Sequence, residues 1–306
     1  MRRSVSVIIP ARNCALTISA AIQSALSQTY IPDEVIVIDD GSTDETRSIA
    51  KSFGDKVRVL PGPCQGAGPA RNLGIENATG QYIAFLDADD VWYSTKLERQ
   101  IPFVAPGVLV GSYANYVVGP KKFRVGTSIR TSSDAEAAFY ISSGKGLPAL
   151  LSSWVLLRED LLNGGLFDPL YVYSQDYELL MRLVDRNMQV KIIRTPLLDY
   201  LIHEASESAT EYIEQWLTAE YVRATRNANF KMSLEDWLLT GFTNKRIMRV
   251  ARAGQLFRNA LVALSDIKTL PRAALLLARS FVLNPKRFVH KALTQGRRTK
   301  KWAGKH

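Results

Sequence analysis

The feature that most constrains this chain is a rhythm in its first 110 residues, where short β-branched runs alternate with helix-patterned stretches. The runs are Ser4–Ile9, Glu34–Asp39, Lys56–Leu60 and Tyr82–Asp87. The stretches that follow them are Thr17–Leu26, Thr43–Phe53, Gly68–Asn77 and Thr95–Val104. Strand, helix, strand at this spacing predicts a parallel sheet built from right-handed crossovers, hence an open α/β layer structure. Near-continuous apolar strands such as Val35-Ile36-Val37-Ile38 suit a sheet covered by helices on both faces.

Beyond residue 107 the rhythm changes. Val108–Val118 and Phe123–Ile129 read as strands around a Gly119-Pro120 turn, and Ser153–Leu157 as a further strand. Asp176–Asn187 reads as a helix, while Gln189–Ile193 and Leu197–Ile202 return to strand. From about residue 209 the pattern is helical to the end, with breaks expected at Gly241, Pro271 and Pro285. Two regions are expected, residues 1–208 as a ligand-binding and catalytic domain and 209–306 as a helical extension.

Charge divides the chain further along, within the helical extension. The whole chain carries +10, but residues 241–306 hold 16 Lys and Arg against the single acid Asp266, giving +15. Residues 1–240 therefore hold 23 basic and 28 acidic residues, giving −5. With 306 residues there is chain enough for a core without metal or disulfide staples. Two cysteines, Cys14 and Cys64, build neither a disulfide framework nor a zinc cage, so a reducing, cytoplasmic setting is expected. The apolar run Val5–Ile9 is too short for a signal-peptide core of about 7–15 residues. No stretch reaches the roughly 20 apolar residues of a membrane span.

In open parallel sheets ligands bind beyond the carboxyl ends of the strands. Those ends read Pro10-Ala11-Arg12-Asn13, then Asp39-Asp40-Gly41-Ser42-Thr43-Asp44, then Asp87-Ala88-Asp89-Asp90. Clustered carboxylates repel, and are tolerated where a cation or hydrogen-bond donors sit among them. The Asp-x-Asp-Asp run suits Mg²⁺ or Mn²⁺ held by one or two carboxylates plus substrate phosphates. The plainer reading of the second segment is a turn at Gly41 and a helix cap at Ser42 or Thr43, and of the third a loop opening a helix. The run Gly66-Ala67-Gly68-Pro69-Ala70-Arg71 imitates a dinucleotide fingerprint, with Asp87 some way on. It has Arg71 at the third glycine position and follows the third strand rather than the first, so it fails its context test. Arg71, near a helix start, is instead a candidate phosphate or base contact.

These segments together carry a family resemblance. Ser6–Asn13, Val37–Asp44, Ala70-Arg71-Asn72-Leu73-Gly74 and Gly80–Asp90 resemble, in order and spacing, the signatures of the family 2 inverting glycosyltransferases. The resemblance covers residues 4–100 densely and 150–205 more loosely. It implies the A-type glycosyltransferase fold, a Rossmann-like, mostly parallel sheet sandwiched by helices, here with a helical basic C-terminal extension. It implies a nucleotide site of Pro10, Arg12, Asp39, Arg71, Asp87 and Ala88. Asp39 would accept from the uracil ring N–H, Asp87 would approach the ribose, and Pro10 and Arg12 would line the base pocket. Asp89 would bind Mn²⁺ or Mg²⁺. In Ser174-Gln175-Asp176-Tyr177-Glu178-Leu179, Asp176 matches the catalytic base. His203 falls where some relatives place a histidine on the metal or diphosphate; its plain reading is a surface or core histidine. Trp92, Tyr93 and Trp154 are candidates for an acceptor floor or for simple packing.

The chemistry agrees with that assignment. Displacing a nucleoside diphosphate builds negative charge on the leaving phosphate, which a metal at Asp89 neutralises as a Lewis acid. The acceptor hydroxyl loses its proton as it attacks, and a positioned carboxylate such as Asp176 takes it. One base and no opposing nucleophile means a single displacement with inversion. A carboxylate at Asp176 is also what a helix N-terminus favours.

In the tail, Ile247, Val250, Gly254, Phe257, Leu261 and Leu264 recur at alternating three- and four-residue spacing, with Lys245, Arg249 and Arg252 opposite. Leu270–Leu283 is apolar nearly all round except for Arg272 and Arg279, and Lys286 continues their seven-residue spacing. At 1.5 Å per residue its fourteen residues span about 21 Å, short of a bilayer's roughly 30 Å core. Arg297-Arg298-Thr299-Lys300-Lys301-Trp302 adds a basic cluster with an aromatic. Such a pattern suits an anionic leaflet; a helical subdomain packed on the body is the competing reading. Nucleic acid is not an expected partner, since no recognition module is present.

The expectation is a metal-dependent transferase of a hexosyl or N-acetylhexosaminyl group from a UDP-sugar. Its acceptor would be a glycan or lipid-linked glycan in surface-polysaccharide assembly, at the inner face of the cytoplasmic membrane. The alternatives are a nucleotidyltransferase, for which Pro10–Asn13 lacks the glycine- and lysine-rich phosphate loop, and a non-catalytic nucleotide-sugar-binding relative.

Overall fold

The computed structural model describes residues 3–118, 123–127, 130–143, 150–203, 210–226, 230–263 and 270–284. Several expected features lie outside them: the Gly119-Pro120 turn, Leu264, Pro285, Lys286 and the Arg297–Trp302 cluster. The chain divides into two compact units, Met1–Asn115 with Ser128–Tyr200, and Tyr116–Thr127 with Leu201–His306.

The first unit begins as the rhythm predicts: β1 (Val5–Ala11), α1 (Ile18–Leu26), β2 (Glu34–Asp39), α2 (Thr46–Lys51), β3 (Arg58–Pro61), α3 (Ala67–Asn77) and β4 (Tyr82–Phe85). β1 pairs in parallel with β2 and β4, and β2 with β3. All seven residues of β1 are buried, which is why its sequence is apolar without alternation. α1 buries Ile18, Ala21, Ile22 and Ala25, one stripe at helical spacing. α3 lies on β1 at Gly74, where a Cβ would stand 2.6 Å from Ile8 Cγ2.

Next come β5 (Val91–Trp92), α4 (Lys96–Gln100), β6 (Val108–Val118), β7 (Phe123–Thr127), α5 (Asp134–Ser142), β8 (Val155–Leu157), α6 (Arg158–Gly164), α7 (Gln175–Asp185) and β9 (Gln189–Ile202). β8 is antiparallel to both β4 and β6, and β5 to β9. The sheet order among the described residues is β3-β2-β1-β4-β8-β6-β9-β5, with β7 on β6. The parallel half is the part that alternation reveals; the antiparallel half joins strands distant in sequence.

The second unit holds α8 (Tyr212–Ala224), α9 (Leu234–Thr243), α10 (Lys245–Ala263) and α11 (Leu270–Leu283). Two expected breaks are corrected. Gly241 lies inside α9, buried, where a Cβ would meet Leu217 Cδ2 at 2.6 Å, so it marks close packing rather than an end. Pro271 lies in the first turn of α11, where its missing N–H costs nothing. The expected stripe of α10 is buried at Gly254 and Phe257, joined by Ala251 and Ala260, and Lys245, Arg249 and Arg252 are exposed. Arg249 donates to the carbonyls of Leu283 (2.7 Å) and Val282 (3.2 Å), closing the end of α11. Ser280 Oγ donates to the Ala253 carbonyl at 2.7 Å.

Candidate active site

The register of β1 and β2 sets Ala11 opposite Asp39, so Pro10, Arg12 and Asp39 share the carboxyl edge. The loops after the two strands are laced to each other. Asn13 turns the chain with φ at 52° and its Oδ1 accepts from Thr43 N–H at 2.9 Å. Asn13 N–H donates to Ser42 Oγ at 3.0 Å, Cys14 N–H to Thr46 Oγ1 at 2.7 Å, and Ala15 N–H to Asp44 Oδ2 at 3.1 Å. Ser42 therefore joins two loops instead of capping a helix. The helix expected from Thr43 starts at Thr46, whose N–H donates to Asp44 Oδ1 at 3.0 Å. That is a correction with a plain cause: the hydroxyl is spent across the loops.

The adjacent aspartates divide their work. Asp40 Oδ1 and Oδ2 each accept a backbone N–H at 2.7 Å, from Cys64 and Gly66, so this carboxylate shapes the turn into α3. The glycine run that imitates a nucleotide fingerprint is thus the turn that Asp40 holds. Asp39 keeps one oxygen near Ser42 N–H at 3.2 Å and the other 3.8 Å from Arg47 Nε. It is 6% exposed, at the base of the edge.

The second group centres on Arg71, 5% exposed. Its Nη2 donates to Asp87 Oδ1 at 2.5 Å, its guanidinium carbon sits 5.5 Å from the centre of the Phe167 ring, and its Nε is buried without a partner. Asp87 N–H donates to Ser152 Oγ at 2.9 Å, and Trp92 Nε1–H to the Ser152 carbonyl at 2.8 Å, fixing the chain that follows β4. α3 meets the start of α7 at Gly68, where a Cβ would stand 2.3 Å from Gln175 Oε1. The residue after Gln175, Asp176, lies in the field of Arg71. Burial raises the Asp176 carboxyl above its usual value, Arg71 opposes the rise, Tyr177 N–H opposes it through a bond of 2.8 Å, and the charge of Asp87 adds to it. Arg71, Asp87 and Asp176 are therefore electrostatically coupled.

Asp89 is half-buried and Ala88 buried. The Cys14 thiol registers the acids: burial pushes it up to about 11, its bond to the Arg12 carbonyl draws it down, and Asp89, Asp44 and Asp87 add to the rise. A cation is favoured in that field. Among the described residues no three His, Cys, Asp or Glu side chains are gathered around one point. The donor set fits a hard divalent ion held by one or two carboxylates and by phosphate oxygens brought with a ligand.

Of the remaining candidates, Arg12 is exposed. His203 follows β9 in the second unit, half-buried. Trp92 (3% exposed) and Trp154 (0%) are core residues. Ser152 and Phe167, which position Asp87 and Arg71, carry no sequence signal, since a serine before a strand and a phenylalanine in a loop are ordinary there.

Comparison with known proteins reports on the whole arrangement. The model of the family "Glycosyl transferase family 2" matches residues 6–163. The chain is 37% identical over 214 residues to the Escherichia coli UDP-Glc:alpha-D-GlcNAc-diphosphoundecaprenol beta-1,3-glucosyltransferase WfaP, covering 69% of this chain and 82% of that protein. It is 33% identical over 218 residues to WfgD, an E. coli glucosyltransferase described by the same reaction, with 69% and 83% covered. Among solved structures, S. aureus TarS 1–349 in complex with UDP-GlcNAc aligns with TM-score 0.57 at 18% identity, covering 96% of this chain and 92% of that one. The mannosyltransferase PcManGT from Pyrobaculum calidifontis, in complex with GDP-Man and Mn²⁺, aligns with TM-score 0.58 at 18% identity over 97% and 85%. At that identity the likeness establishes the shared fold.

Proposed function

The chain belongs to glycosyl transferase family 2, and from that premise we propose that it transfers glucose from UDP-glucose to a lipid-linked acceptor. The acceptor atom is a hydroxyl of an N-acetylglucosamine carried on a lipid diphosphate, and transfer inverts the anomeric carbon. Donor and acceptor follow the reaction for which WfaP and WfgD are named. The observation that carries the catalytic part is the buried Arg71 coupled to both Asp87 and Asp176.

In this reading Asp39 accepts from the uracil N–H, with Pro10 and Arg12 lining the base, and Asp87 and Ala88 hold the ribose. Arg71 fixes Asp87 and lends positive charge beside the leaving group. Asp89 would hold Mn²⁺ or Mg²⁺, and the bound ion would supply Lewis-acid neutralisation of the diphosphate. Asp176 takes the proton from the attacking hydroxyl. A carboxyl raised by burial is a stronger base than an ordinary aspartate, as that step requires. With one base and no nucleophile opposite, the displacement is single.

The second unit serves the lipid side of this reading. No described helix is long and apolar enough to cross a membrane. α11 exposes Leu275 (53%), Phe281 (46%) and Val282 (68%) beside Arg272 and Arg279, the combination that rests on an anionic leaflet. The enzyme then works at the inner face of the cytoplasmic membrane.

A thermal-shift screen of nucleotide sugars with Mn²⁺ tests the donor, and UDP-glucose is expected to raise the melting temperature most. Mass spectrometry and NMR of the product formed on a GlcNAc-diphospholipid are expected to show a β-linked glucose. Absence of both stabilisation and transfer with every UDP- and dTDP-sugar overturns the reading.

A further inference from the structure

Three polar side chains on the opposite half of the sheet, among them the acceptor-floor candidate Tyr93, have no part in the donor and metal roles above. Tyr93 follows β5, Asn115 lies on β6 and Asp199 on β9, and all three belong to the first unit. Tyr93 Oη donates to Asp199 Oδ1 at 2.6 Å. Asn115 Nδ2 donates to Tyr93 Oη at 2.5 Å and to the same Asp199 oxygen at 3.3 Å. One carboxylate oxygen is thus held by two donors from two other segments of chain. The other, Oδ2, has no hydrogen-bond partner among the described residues, and Asp199 is only half-buried. Asn115 is 1% exposed and its Oδ1 is buried without a partner, so the network is incomplete within the protein itself.

Strand directions place this group on the functional edge. β4 is antiparallel to β8, and β8 to β6, so β6 runs in the direction of β4. Asn115 is five residues past the β6 residue that pairs with Val155, and Asp87 is three past the β4 residue that pairs with it. Both therefore lie toward the carboxyl ends of their strands, Asn115 still within β6 and Asp87 just beyond β4. At about 4.8 Å between strands, β6 and β9 lie roughly 10 and 14 Å beyond β4. The direction is away from β1 and β2, where the nucleobase end of the donor is assigned. Tyr93 is four residues after Asp89, so covalent geometry keeps their Cα atoms within about 14 Å. A carboxylate oriented from behind, with one oxygen open, is suited to accept from a hydroxyl. The next group along the edge after a diphosphate and the transferred hexose is the acceptor.

We infer that Asp199, positioned by Tyr93 and Asn115, binds a hydroxyl of the acceptor pyranose and so selects the acceptor sugar. The inference rests on the glycosyl-transfer reading and extends it to residues that bind neither nucleotide nor metal. A site built to hydrogen-bond a hydroxyl loses affinity when its acceptor atom is removed.

The test is calorimetric titration of the full chain, with UDP and Mn²⁺ present, using a GlcNAc-diphosphate ester of a short alkyl chain as probe. Asp199→Asn is expected to bind the probe about tenfold more weakly, with UDP affinity unchanged. Tyr93→Phe, which keeps the ring and removes the orienting hydroxyl, is expected to lose less. Should Asp199→Asn fail to fold, the Tyr93→Phe titration decides alone. Equal probe affinities in wild type and variants overturn the assignment, as does a wild type that binds UDP but not the probe. Weakening of UDP-glucose binding in place of probe binding also overturns it, by moving the subsite to the donor. Failure of the wild type to bind UDP at all defeats the parent reading, and this one with it.

Discussion

The acidic edge of the first unit and the basic helices of the second solve opposite problems. At the edge nearly every loop group is committed: Asp40 and Asp44 take backbone N–H groups, and Asn13, Ser42 and Thr46 tie two loops together. Asp39 at the same edge accepts from Ser42 N–H and lies 3.8 Å from Arg47 Nε. In α10 and α11, Arg249 and Ser280 tie the two helices together, and arginines and large apolar side chains face solvent. Two shallow hollows of about 230 and 350 Å³ on these helices share Leu283, one lined by Arg249 and Arg252, the other by Arg279 and Val282. In the first region side-chain to backbone hydrogen bonds cross-brace the loops; in the second, charged and large apolar side chains lie exposed side by side.

The largest test of that contrast is Asp176→Asn. Transfer should fall by about a thousandfold, the upper range for loss of a general base, while UDP binding persists. Stability should move the other way. Because burial raises the folded Asp176 carboxyl, the folded state holds its proton more tightly than the unfolded chain does. Ionisation costs stability as the pH rises through the folded value, and that cost is in force at pH 7. The variant should therefore melt higher than wild type at pH 7, with the gain shrinking near pH 4. Near-normal turnover would remove Asp176 from the chemistry.

Next in size is Asp40→Ala, which takes the carboxylate away from two backbone N–H groups of the turn into α3. A loss of about 3 kcal/mol in urea unfolding is expected, with weaker UDP binding as the turn into α3 loosens. An unchanged midpoint would mean the edge is less committed than its hydrogen bonds suggest.

On the basic side, Arg252→Glu with Arg279→Glu should leave transfer to a water-soluble acceptor intact. Co-sedimentation with anionic vesicles should weaken by about thirtyfold or more, from about 1 kcal/mol per basic residue lost at the surface and the added repulsion of the new acids. Equal binding by variant and wild type would return these helices to a packing role. The smallest effect separates the thiols. Cys14, raised to about 11 and half-buried, should alkylate far more slowly at pH 8 than exposed Cys64, read by mass spectrometry of the labelled peptides.

Much of this was legible from residue patterns. β2 runs Glu34–Asp39 as its uninterrupted apolar run predicts, and β6 runs Val108–Val118 between Gly107 and the Gly119-Pro120 turn signal. The helix after Asp39 was misread in its start, since a hydroxyl that caps locally and one that bonds across loops look identical in one dimension. Gly241 was misread for the same kind of reason: close helix packing and a helix end both ask for glycine.

The sequence by itself determined the parallel half of the fold, the family and the segments from which the site is drawn. Periodicity and strand-end chemistry are local, and local order survives in a string of letters. Only the tertiary structure decided which acids hold loops. It alone set Arg71 against Asp87 within the field of Asp176, and joined Tyr93 and Asn115 to Asp199 across as many as 106 positions of chain. Those relations depend on which strands lie side by side and on the few ångströms left where Gly68 meets Gln175. Distance in space, not order in the chain, sets the field each carboxylate feels.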